Sequence, residues 1–285
     1  TAPGGEGGYT LLADITKSFD VVPISQEFQS LPEDLDVLFV AHPPELSARQ
    51  AWLIDQHILR HGRAVFMVDP AAKTAMGDGM FGTSRDHARS DLGALGKAWG
   101  VTLSEDAVAD AANALPVPVD TGNGRMEELA HPLFIGTPAS DMNANDLVTA
   151  DLTRNVNFGA PGALLADDLP GGEVFSPLIS TGPSPSYIDA GAAVRDMTPD
   201  DVLKSYKTSP QPLVLAARLS GSLATAFPAG APALDEPTDP GLAELARAEA
   251  ANAPPHISRS ETDAEIVLIA DVDALADDFY IIPGR

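Results

Sequence analysis

Cysteine is absent from all 285 residues, which excludes disulfides, thiolate zinc sites and cysteine nucleophiles. It leaves the compartment open, because a bacterial periplasmic domain without disulfides is as compatible with this composition as a cytosolic protein. Positive charge is also scarce: 17 basic residues stand against 41 acidic ones, a formal charge of −24. Such a surface repels phosphate backbones and anionic headgroups, so nucleic acid is not expected as a partner. No apolar run approaches the roughly 18 to 20 residues of a bilayer-spanning helix. There is no Walker A loop, so the chain carries no ATPase of its own. Thr1 stands where an initiator methionine would, which fits a processed chain or the soluble part of a membrane-anchored protein. Only two tryptophans occur, Trp52 and Trp99. Both fall on expected helices as core residues, which weighs against a saccharide-binding module with exposed aromatic platforms.

What is present is an α/β rhythm. Four runs of five apolar residues, VLFVA (37–41), AVFMV (64–68), LVLAA (213–217) and IVLIA (266–270), read as strands covered on both faces. Between the first two, Ser47 and Gln50 form a capping box. Ala51, Ile54 and Ile58 make a buried helical stripe, and Gly62 offers a left-handed stop. A helix is expected over 8–18, a short strand over 20–24, a helix over 91–99 and a strand at 101–103. Residues 104–150, with LPVPVD, TGNG and DMNAND, read as a loop-rich insertion. Strands are expected before Gly159 and over 173–181, a β-hairpin around Gly221-Ser222, and a helix over 241–251. The fold class is therefore α/β: a single domain over 1–285 with a mixed, mostly parallel sheet flanked by helices.

The candidate sites are few. His57 and His61 have the four-residue spacing of zinc ligands, but the glutamate of an H-E-x-x-H site is missing and they read as solvated helix histidines. GDGMFG at 77–82 lacks the Lys-Ser/Thr of a phosphate loop and reads as a surface loop. The turn Gly159-Ala160-Pro161-Gly162 sits where a nucleophile elbow would, with alanine at its centre, so it cannot do covalent acyl chemistry. Ser184 and Ser186 lie in a polar, proline-stiffened loop suited to contacting a ligand or partner. A hydrolase would need one of them beside His42 or His256. Asp271 and Asp273 end a core strand. They could hold a divalent cation, but with no phosphate cradle beside them they read as solvated caps that shape a turn at a sheet edge. No metal or other cofactor is expected.

Residues 31–70 resemble a segment of the GldG-like auxiliary proteins of ABC-2 type transport systems: a strand, a proline-containing loop, a helix ending in glycine, and a strand closing on Asp69-Pro70. VNFGAPGALL (156–165), LAARLSGSLATAFP (215–228) and IVLIADVDALADDF (266–279) follow in that family's order. The resemblance implies a Rossmann-like fold related to class I glutamine amidotransferase-like domains. It also implies a non-catalytic, periplasmic ligand- or partner-binding domain of a gliding-motility-type transporter, anchored at the inner membrane beside permease and ATPase subunits. Gly159, Ala160, Ser184, Ser186, Asp271 and Asp273 would then serve a ligand, a saccharide or small molecule, or a partner. The alternatives are an amidotransferase-like or metal-dependent hydrolase, and the saccharide-binding module.

Overall fold

The structure, a computed structural model, describes residues 10–73, 88–120, 124–167, 169–195, 197–236, 238–251 and 253–280. In chain order the elements are α1 (Thr10–Ile15), β1 (Leu38–Ala41), α2 (Ala48–His61), β2 (Arg63–Met67), α3 (Gly93–Trp99), β3 (Val101–Leu103), β4 (Ala107–Ala109), β5 (Ala114–Asp120) and β6 (Met126–Thr137). They continue with β7 (Val156–Gly159), β8 (Leu164–Ala166), β9 (Val174–Ser180), β10 (Ser186–Ile188), α4 (Ala190–Ala193), α5 (Pro199–Ser205), β11 (Val214–Gly221), α6 (Pro240–Ala251), β12 (Ala264–Ile269) and α7 (Asp277–Tyr280).

All four apolar runs become strands of one five-stranded sheet, ordered β1-β2-β12-β11-β9. The β1–β2 and β2–β12 pairs are parallel, whereas β12–β11 and β11–β9 are antiparallel. The sheet is thus evenly mixed rather than mostly parallel. Helix α2 begins as its sequence dictates: Ser47 Oγ accepts the Gln50 N–H and Gln50 Oε1 accepts the Ser47 N–H, both at 3.1 Å. It stops at Gly62, whose φ of 77° lets its N–H reach the Ile58 carbonyl at 2.8 Å.

Alternation along β12 assigns the two faces. Ala264, Ile266 and Leu268 join Ile54, Ile58 and Leu59 of α2 and Leu95 and Trp99 of α3 in one core, where Phe66 and Trp99 meet edge to face at 5.5 Å. Val267 and Ile269 face a second core built from Ile135 of β6, Phe158 of β7, Leu178 of β9 and Leu215 of β11. Helices therefore cover one face, and strands contribute much of the cover on the other.

That second cover comes partly from the segment expected to be loop. Strands β5, β6 and β7 form their own antiparallel sheet. The turn formers Pro116 and Pro118 misdirect the reading because β5 lies at that sheet's edge, where a strand tolerates residues with no N–H to donate. The expected hairpin at Gly221-Ser222 does not form. Strand β11 already has β12 on one side and β9 on the other, and the chain beyond it bridges Ala224 to Arg259. Residues 20–24 form no strand: Pro23 breaks the donor ladder, and Val21 and Val22 stay half exposed. The helix expected over 8–18 is described only as α1.

The close approach at Gly62 is testable. A Cβ there would lie 2.7 Å from the Asp263 backbone oxygen, whereas one on Gly124, at a similar φ of 68°, meets nothing within 4 Å among the described residues. Both Gly→Ala changes incur left-handed strain. Gly62→Ala is expected to cost about 1–3 kcal/mol more than Gly124→Ala in urea unfolding, from overpacking.

Candidate functional site

Strands β2 and β12 run parallel in register, with Ile266 opposite Ala64 and Ile269 opposite Met67. Carried two residues past the strands, that register sets Asp271 opposite Asp69 at the carboxyl end of the sheet. Asp273 joins them, so that one carboxylate oxygen from each residue lies within 4.8 Å of the others. All three side chains are fully buried. The solvated reading of Asp271 and Asp273 is thereby overturned, and their strand is central rather than at a sheet edge.

Backbone donors hold the cluster. Asp69 accepts the N–H of Ala71 at 2.7 Å and of Val272 at 2.9 Å. Asp271 accepts the N–H of Gly159 at 2.6 Å and of Ala274 at 3.1 Å, and Asp273 accepts the N–H of Lys73 at 2.8 Å. The Ala274 bond is the turn-shaping role expected of Asp271. The bonds to Val272, Gly159 and Lys73 cross between loops, and with them the carboxylates tie together the chain after β2, after β7 and after β12.

The end of β7 lies close against the cluster. A Cβ on Gly159 would approach Phe279 Cζ to 2.8 Å and Asp273 Cβ to 3.0 Å. The next residue, Ala160, is buried at a left-handed φ of 52°, with its N–H 2.6 Å from the Leu133 carbonyl. The elbow-like turn is thus real, and a methyl group occupies its centre. Beside it, His42, also left-handed at φ 45°, places Nδ1 2.9 Å from Ser90 Oγ, which accepts the Asp69 N–H at 3.1 Å.

Burial dominates the electrostatics. Asp69 and Asp271 are both pushed well above the usual carboxylate range, first by loss of solvent and then by the neighbouring carboxylates, against the lowering effect of their backbone N–H donors. Three carboxylates this close cannot all stay ionised without compensating charge. They share protons, or a cation held between them would neutralise them.

The other candidates lie apart from this cluster. Ser186 is buried, its Oγ accepting the Lys207 N–H at 2.8 Å and donating to the Tyr187 carbonyl at 3.2 Å. Ser184 is exposed, and its carbonyl accepts the Tyr206 hydroxyl at 2.8 Å. Neither pairs with His42, which meets Ser90, or with His256, whose Nδ1 accepts the Trp52 indole N–H at 3.0 Å. Trp52 and Trp99 are core residues, as expected. His57 is buried rather than solvated; its ring lies 4.6 Å from that of His61, and burial pushes its pKa down to about 4. The GDGMFG segment falls outside the described residues.

Sequence reasoning missed Asp69 and Ser90 as site residues. A signal for Asp69 existed: AVFMV and IVLIA are equal in length and each is followed at once by aspartate, so pairing the two runs end to end brings the carboxylates together. Nothing in the sequence marks Ser90, which arrives through the folding of residues 88–90 against 69–72.

The raised acids predict a definite sign. Protonated aspartates stabilise the fold below the ordinary value of about 3.9, and that contribution is lost as pH rises through the folded values. Asp69→Asn mimics the protonated form, so its stability relative to the parent is expected to improve as pH rises above the ordinary value of about 3.9 in urea unfolding. A difference independent of pH contradicts this. His57 acts oppositely: its lowered pKa contributes stability above about 6.5 that is lost as pH falls toward about 4, and His57→Gln is expected to remove that acid sensitivity.

A family model described as "ABC-type uncharacterized transport system" matches residues 2–284. No curated protein matches the chain. Among solved structures, the chain is similar to one titled "mmIFT52 N-terminal domain", at 10% identity and a TM-score of 0.45, covering 96% of this chain and 82% of that one. The family match spans nearly every residue from α1 to the aspartates after β12, and by it the chain belongs to the family of auxiliary components of ABC-type transport systems.

Proposed function

We propose that the chain is a non-catalytic ligand- or partner-binding and coupling domain of an ABC-2 type transporter of the GldG-like, gliding-motility kind. In this reading it works at the periplasmic face of the bacterial inner membrane, anchored there in its full-length form, and acts on permease and ATPase subunits. The observation that carries the reading is the family match over residues 2–284. Among the described residues no helix is long and apolar enough to cross a membrane, so transport itself falls to other subunits. The kinship with class I glutamine amidotransferase-like domains belongs to the same reading.

The chemistry at the sheet's carboxyl end supports a non-catalytic role. The elbow position holds buried Ala160, and Gly159 is bound through its N–H to Asp271. At Asp69 the hydroxyl–imidazole pair Ser90 with His42 is buried on both sides, and Ser90 Oγ already accepts the Asp69 N–H. That pair ties the loop after β1 to the loop after β2. A nucleophile would need open access to a substrate carbonyl.

The test is reconstitution of permease and ATPase with and without this chain. Transport is expected to fall when the chain is omitted while ATP hydrolysis by the ATPase persists. Leu147, 98% exposed on the turn before β7, offers a variant that leaves the core intact. Leu147→Asp is expected to reduce co-purification with the permease if that apolar surface is a contact. Transport that is indifferent to the chain's presence sinks the reading.

A further inference from the structure

A hollow of about 300 Å³ opens one residue beyond Asp69. Pro70, Ala88, Ala190 and Val194 contribute apolar walls, and two guanidinium groups, Arg89 and Arg195, line it. Arg89 is fixed by its backbone neighbours: the Ala72 N–H donates to the Ala88 carbonyl and the Ser90 N–H to the Asp69 carbonyl, both at 2.8 Å. Its Nη1 donates to the neutral carbonyls of Ser104 and Glu105 at 3.4 and 3.3 Å. Among the described residues its one ion pair is the stretched contact to Asp91 at 4.0 Å, where both side chains are substantially exposed and screened by solvent. Arg195 is exposed and has no carboxylate partner among the described residues.

In a chain with 41 acidic residues against 17 basic ones, two guanidinium groups lining one cavity, with the stretched Asp91 contact as their ion pair among the described residues, stand out chemically. A guanidinium presents a planar fork of donors that matches carboxylate and phosphate oxygens. The cavity's size sits at the lower limit of small-molecule sites, and its small apolar walls suit a short hydrocarbon body. Its place is the loop that follows β2, outside the carboxyl ends of the parallel strands, where open α/β sheets bind ligands. We propose that this cavity binds a small organic anion, its carboxylate or phosphate head between Arg89 and Arg195 and its apolar part against Pro70 and Val194. The site is independent of the coupling role, since the isolated chain would bind the anion whether or not it docks on a transporter.

The test is calorimetric titration of the chain at low ionic strength with inorganic phosphate and, separately, with butyrate. Saturable one-to-one binding of at least one probe is expected, weakened at least about tenfold by Arg195→Gln and by Arg89→Gln. Arg195 is exposed, so its variant is expected to unfold at the parent's temperature. Arg63→Gln, an exposed arginine on β2 away from the cavity lining, controls for net charge and is expected to bind as the parent does. Failure of both probes to saturate overturns the proposal. So does binding that Arg195→Gln leaves unchanged, or that Arg63→Gln weakens equally. Phosphate binding with none for butyrate assigns a phosphate head, and the reverse assigns a carboxylate.

Discussion

The parallel register of β2 on β12 is the constraint from which the rest of this structure follows. Two apolar runs of equal length, 64–68 and 266–270, each followed by aspartate, are laid side by side with their ends level, and the aspartates are carried into the interior together with Asp273. Buried carboxylates in contact are costly unless they are protonated, paired or richly hydrogen-bonded. Here the chain supplies backbone N–H groups from three separate segments. The end of β7 approaches so closely that a Cβ at Gly159 would crowd Phe279 and Asp273, and the following turn carries Ala160 into the left-handed region. Strain and burial therefore concentrate at one end of the sheet, as they do in many functional sites, but here they serve to hold loops together.

This closed end agrees with an auxiliary role in a transport system. The aspartate ties hold the ends of the central strands, and two hydrophobic cores fix the faces of the sheet, one beneath α2 and α3 and the other beneath β6 and β7. The arginine-lined cavity lies just outside these ties, beside Pro70, so an anion bound there would bear on the same loop that Asp69 anchors. A small ligand could in that way influence the frame without entering the buried cluster.

Much of the frame was legible in the sequence, because continuous apolar runs and a capping box are local signals with local causes. The runs at 37–41, 64–68, 213–217 and 266–270 all entered the main sheet, and Ser47, Gln50 and Gly62 delimit α2 as read. What was misread depends on position within the fold. Pro116 and Pro118 look like turn formers until β5 is known to be an edge strand. Gly221-Ser222 looks like a hairpin until β11 is known to have both sides occupied. Asp271 and Asp273 look solvated until Asp69 is set opposite them, which requires knowing that two runs 200 residues apart are neighbours in register. Of the candidate site residues, Gly159, Ala160, Asp271 and Asp273 meet at one place, while Ser186 lies elsewhere with its hydroxyl bonded to backbone groups and Ser184 is exposed, its carbonyl accepting the Tyr206 hydroxyl.

Carboxylates kept from ionising normally hold this end of the sheet, and the carbon-13 resonances of the aspartate carboxyls, followed against pH, report on them without an intermediary. Asp69 and Asp271 are expected to titrate well above the ordinary value of about 3.9, with interdependent curves that change shape when Asp273 is replaced by Asn. Two independent titrations near that ordinary value would mean that solvent reaches the carboxylates, and would contradict the account.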